Sequence, residues 1–112
     1  MRVPHTPVLV QTVIASAAVA ANRFVGFNGA YPAPAGRARG VANYAADKAG
    51  DAIAVTVLGT ERIEAGGAFA AGDAVQVGGD GKAVVLAAGV KAGIAQDAST
   101  GDGDTVTVLL TP

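Results

Sequence analysis

The feature that most narrows what this chain can fold into is a phrase stated twice. Gly50-Asp51-Ala52-Ile53-Ala54-Val55-Thr56-Val57 returns near the far end as Gly103-Asp104-Thr105-Val106-Thr107-Val108-Leu109-Leu110. Each copy opens on a Gly-Asp turn and continues with small or hydroxyl residues alternating with branched apolar ones. Alternation at period two, rich in β-branched side chains, is the pattern of a strand with one buried face. Ile53, Val55 and Val57 form the apolar set of one strand, and Val106, Val108 and Leu110 that of the other.

The repetition reaches well beyond these strands, which makes the chain an internal duplication of about 8–57 and 58–110. A shift of 50 carries Ala15, Ala18, Ala20, Ala21, Val25 and Gly29 onto Ala65, Ala68, Ala70, Ala71, Val75 and Gly79. After a three-residue difference the shift is 53, and Gly40, Ala42, Gly50, Asp51 and Val55 fall on Gly93, Ala95, Gly103, Asp104 and Val108. Each copy reads as four short strands. In the first they are 8–14, 23–27, 40–44 and 52–57. In the second they are 61–64, 74–77 with a hairpin to 82–86, 90–96 and 105–110. The hairpin turn is Gly78-Gly79-Asp80-Gly81, whose residues tolerate positive φ.

Duplication also decides two local ambiguities. Ala15 to Asn22 is alanine-rich and by propensity alone reads as helix. Its counterpart, Ala65 to Gly72, contains three glycines and makes a poor helix, so both stretches are expected to be turns leading into strands. Gly59-Thr60 suits a two-residue hairpin turn. A continuous strand with a kink or bulge at Gly59 is the preferred reading, because it keeps Ile63 in line with Ile53, Val55 and Val57.

The expected fold is therefore mainly all-β: one small domain over 8–112, built from two similar halves. An extended arm over 1–7 precedes it, where Pro4 and Pro7 fix φ and push Val3 and Thr6 toward extended geometry. A chain of 112 residues buries roughly 65% of its unfolded surface. The core material is lean: Val, Ile, Leu and Phe fill 28 positions, and alanine supplies much of the remaining apolar content. With no cysteine to staple it, such a scaffold is expected to complete itself by assembly.

The charge pattern argues against nucleic acid, since eight Lys and Arg are scattered singly and the net charge is −1. No membrane span is expected: the uncharged stretch from Val8 to Asn22 is interrupted by Gln, Thr and Ser and is too short. No secretory leader is expected either, because Met1-Arg2 runs into prolines.

Chemistry that needs convergent groups finds little to work with. The inventory holds Ser16, Ser99 and the single His5, so no nucleophile and base pair is expected, and the chain reads as a non-enzyme. Asp47, Asp51, Asp73, Asp80, Asp97, Asp102 and Asp104 sit in turn sequences, where the carboxylate bonds nearby amides. Asp97, Asp102 and Asp104 lack the spacing of a calcium loop, so neither metal nor cofactor is expected. The loop Ala30-Tyr31-Pro32-Ala33-Pro34-Ala35-Gly36-Arg37-Ala38-Arg39 is where the copies differ most, which makes it a candidate contact surface.

Two resemblances bear on function. From about Val8 onward the chain resembles the capsid decoration, or cement, proteins of tailed bacteriophages. The similarity rests on Arg23-Phe24-Val25-Gly26-Phe27-Asn28-Gly29, Gly40-Val41-Ala42, Ala49-Gly50-Asp51, Glu64-Ala65-Gly66-Gly67-Ala68, Ala71-Gly72-Asp73-Ala74-Val75 and Gly93-Ile94-Ala95-Gln96. It implies a β-tulip or barrel-like virion protein on the outer capsid surface, made in the host cytoplasm and clamping neighbouring major capsid protein subunits. It also implies a homo-oligomer, with a trimer favoured over a dimer. The contact residues it suggests are Arg2, Val3, Pro4, His5 and Pro7 in the arm, with Tyr31, Pro32, Pro34, Arg37 and Arg39 in the divergent loop. The alternative is a lipoyl-like swinging-arm carrier, because Asp47-Lys48-Ala49 resembles the lysine-bearing hairpin tip of those domains, with Lys48 as the attachment site.

Overall fold

The computed structural model describes residues 6–110. Among the described residues there are eight strands: β1 (Pro7–Ile14), β2 (Phe24–Val25), β3 (Gly40–Ala42), β4 (Ala52–Glu64), β5 (Ala74–Val77), β6 (Ala83–Val85), β7 (Gly93–Ala95) and β8 (Thr105–Leu110). One 3-10 turn, Gly79–Gly81, joins β5 to β6, with Asp80 and Gly81 at φ of 54° and 73°. The strands form a single sheet in the order β2-β3-β4-β8-β7-β5-β6, with β1 also paired to β4, and the sheet curls into a nearly closed barrel. All strand pairs are antiparallel.

The duplication holds to the level of single hydrogen bonds. The pairs Phe24↔Val41 and Val25↔Gly40 recur as Ala74↔Ile94 and Val75↔Gly93. Val41↔Thr56 and Ala42↔Val55 recur as Ile94↔Leu109 and Ala95↔Val108. Ile14↔Ala52 and Val13↔Ile53 recur as Glu64↔Thr105 and Ile63↔Val106. The alanine tract is not helical: Val19 bridges Ala46 just as Phe69 bridges Ser99, so both tracts are turns pinned by the equivalent bridge. Because β1 runs antiparallel to β4, and β4 to β8, the operation relating the halves reverses strand direction, as a half-turn does.

β4 belongs to both copies. Its first half closes the first repeat against β1 and β3, and its second half opens the second repeat against β8. Gly59 marks the seam at φ 104°, and the β1 register shifts beside it. Thr6 continues the β1 pairing, its amide donating to Thr60 O at 3.2 Å and its own O accepting from the Thr60 amide at 3.0 Å.

Each half has its own core, built from the same positions. The first gathers Val13, Ala15, Val19, Val25, Ala42, Ile53 and Val55. The second gathers their counterparts Ile63, Ala65, Phe69, Val75, Ala95, Val106 and Val108. Phe24 and Val41, from the first copy, pack in the second core and tie the halves together.

Aspartates close the repeated turns. Asp51 Oδ2 accepts from the amides of Asp47 (3.0 Å) and Lys48 (3.3 Å). Asp104 Oδ2 accepts from the Thr100 amide and hydroxyl, both at 2.8 Å. The Thr100 amide first, then its hydroxyl, holds the Asp104 carboxyl below its ordinary 3.8. A folded pKa below the unfolded one gives stability that is present above the ordinary value and lost as pH falls through the lowered one. The urea midpoints of the wild type and Asp104→Asn are therefore expected to differ at neutral pH and to converge toward acid. A gap independent of pH would contradict this.

Candidate functional site: an apolar edge and a groove at the seam

Two surfaces stand out, and both arise where the halves stop being alike. The first is β1. Among the described residues it pairs with β4 alone, so its other edge presents unpaired backbone donors and acceptors. Four large apolar side chains on it are exposed, Val8 (69%), Leu9 (46%), Val10 (43%) and Ile14 (61%), with Gln11 and Thr12 exposed between them. The counterparts of Val10 and Ile14 in the second copy are Thr60 and Glu64, so at these two positions the second copy carries polar groups where β1 carries apolar ones. Exposed apolar residues on a free edge make β1 a candidate contact surface.

The second surface is a groove of about 370 Å³. Its walls are Arg37-Ala38-Arg39-Gly40 from the first copy and Val90-Lys91-Ala92 from the second, with Phe24, Phe27, Val57 and Leu110 completing it. The shift of 53 maps 37–39 onto 90–92 and Val57 onto Leu110, so the groove lies on the seam and is lined by equivalent segments of both copies. Arg39 donates from Nε (3.3 Å) and Nη2 (3.0 Å) to Gln11 Oε1, and its guanidinium carbon stands 6.0 Å from the centre of the Phe27 ring.

The predicted contact residues divide among these features. Arg2, Val3, Pro4 and His5 lie outside the described residues. Pro7 is the first residue of β1, facing Gly59. Tyr31 is half-buried against the first core, and its hydroxyl accepts from the Ala20 amide at 2.7 Å, so it anchors the loop. Pro32 is half-buried and Pro34 exposed. The loop is laced to the second half through the Ala35 amide to Val77 O (2.8 Å) and the Val90 amide to Ala35 O (3.1 Å). Arg37 and Arg39 reach the groove. Sequence reasoning missed Phe27 and Lys91 as members of this site, because the repeat register makes 90–92 equivalent to 37–39 without bringing the two segments together.

Lys48 is exposed in the turn that Asp51 closes, and position 101, a glycine, takes its place in the second copy. The turn is thus part of the repeat and owes nothing to the lysine. Of the three aspartates weighed for calcium, Asp97 Oδ2 accepts from the Thr107 amide at 3.0 Å and Asp104 closes its turn. Asp102 meets Lys82 Nζ at 2.9 Å. Arg23 and Lys82 also share Glu64, at 3.1 and 3.3 Å. Among the described residues no helix is long and apolar enough to cross a membrane.

The family model for phage cement protein matches residues 3–110. Among solved structures the chain is similar to the N base of the head fiber of bacteriophage phi29. The TM-score is 0.75 at 23% identity, covering 92% of this chain and 93% of that one. No curated protein matches.

Proposed function

Since the chain belongs to the phage cement protein family, and so is a capsid-associated structural protein of a phage, we propose that it binds the outer face of the shell and clamps neighbouring major capsid protein subunits. The observation that carries this reading is β1: a free sheet edge with Val8, Val10 and Ile14 turned outward. Strand addition to such an edge takes affinity from main-chain hydrogen bonds and specificity from alternate side chains. Arg2, Val3, Pro4 and His5, which precede Thr6 in the chain, belong to the same proposed contact. A ligand that binds only the assembled shell stabilises it by mass action, and many copies multiply a modest affinity. Assembly as a homo-oligomer, most simply a trimer, is part of the proposal.

Electron microscopy of shells purified with and without the protein tests it. The expected result is added density on the outer face bridging adjacent capsid subunits. A shell that takes up no protein, or takes it up inside, overturns the reading. The double variant Val8→Lys/Val10→Lys blunts the edge while both positions stay in water. Its apparent affinity for shells is expected to fall about tenfold, roughly 1.4 kcal/mol, at an unchanged melting temperature.

A further inference from the structure

We propose that the seam groove takes an extended segment of the capsid partner in which acidic and apolar residues alternate. This rests on the cement reading and names the chemistry of the surface that reading requires.

Three observations carry it. First, the groove is charged on one side of the balance: Arg37, Arg39 and Lys91 line it and, among the described residues, no carboxylate does, in a chain whose net charge is −1. Second, these cations lack carboxylate partners among the described residues, whereas Arg23 and Lys82 are both bridged. Arg37 and Lys91, one from each copy, stand exposed at the groove. Arg39 is held in place by Gln11 and lies near Phe27, but its contact with Gln11 is to a neutral amide oxygen. An ordered guanidinium that faces no anion is prepared for a carboxylate, which it binds with two parallel bonds. Third, the remaining lining is apolar: Phe24, Val57, Ala92 and Leu110, with Phe27 64% exposed.

An extended strand sends successive side chains to opposite sides. A segment alternating acidic with apolar residues therefore meets the cations with one set and the apolar lining with the other. The volume, about 370 Å³, is that of a site for a few side chains. A nucleic acid is the less suitable occupant, since three cations in a closed groove do not form the long basic track that a phosphate backbone needs.

The test uses the intact protein, shells prepared without it, and a labelled peptide of alternating Glu and Val read by fluorescence anisotropy. The variants are Arg37→Glu/Lys91→Glu and, as control, Lys48→Glu, all at exposed positions. The expected result is that the double reversal weakens both shell and peptide binding by about tenfold or more, while Lys48→Glu matches wild type. Rising salt should weaken wild-type binding and leave the double variant nearly unmoved. Wild-type affinity of the double variant for both probes overturns the groove and leaves the cement reading standing. Peptide binding that depends on Arg37 and Lys91, with no wild-type binding to shells, overturns the capsid partner and upholds the carboxylate chemistry. Displacement of the peptide by a thymidine oligonucleotide at equal concentration overturns the proposal in favour of nucleic acid.

Discussion

Gly59→Ala is expected to lower stability by about 3 kcal/mol, the upper end of what strained backbone costs, in a domain whose whole margin is roughly 5–15 kcal/mol. Two effects combine. The residue sits at φ 104°, where a Cβ is disfavoured. That Cβ would also stand 2.6 Å from Thr6 O and 2.6 Å from the Val8 amide nitrogen, both backbone atoms of the neighbouring strand. Neither can turn aside as a side chain does, so β1 must shift off β4. Gly50→Ala separates the two effects. Its φ is 96°, yet nothing lies within 4 Å of its added methyl. It should lose only the conformational part, about 1 kcal/mol. Urea denaturation of both variants reads the difference directly. Equal losses would mean that close strand approach plays no part at the seam.

Phe24→Ala is expected to cost about 3–5 kcal/mol. The ring is completely buried and belongs to the first repeat, yet it packs in the second repeat's core. Truncation removes its transfer energy and leaves a cavity between halves that are also joined through β4, Val41, the Arg23–Glu64 ion pair and loop hydrogen bonds. Phe24→Leu should retain most of the stability, since it keeps an apolar side chain of similar reach. The check is again the urea midpoint, with the slope followed for loss of cooperativity between the halves. A loss under about 1 kcal/mol would show that the halves cohere without the ring.

What the sequence disclosed was whatever the repeat controlled. The equivalence of Ile53 with Val106 and of Val55 with Val108 follows from matching two copies, and so does the choice of turn over helix for Ala15 to Asn22; which strands pair does not. The continuous β4 was legible because Ile63 keeps the phase of Ile53 and Val55. Hidden were the features in which one copy reaches into the other. Phe24 has Ala74 at its equivalent position, so periodicity gives no sign of where the ring goes. The groove brings residues 53 positions apart into one lining, which needs the curl of the sheet as well as the register. Tyr31, which the sequence offers as an exposed contact, is drawn inward because its hydroxyl meets the otherwise unpaired Ala20 amide.

The near-equivalence of the halves has a consequence for orientation. An object with approximate twofold form offers a partner two opposed poses of similar energy, and a clamp seated backwards bridges the wrong neighbours. Only unlike positions break that tie: valine at 10 against threonine at 60, isoleucine at 14 against glutamate at 64, arginine at 37 against valine at 90. Drift that made the two repeats more similar would leave the barrel standing and erase its sense of direction.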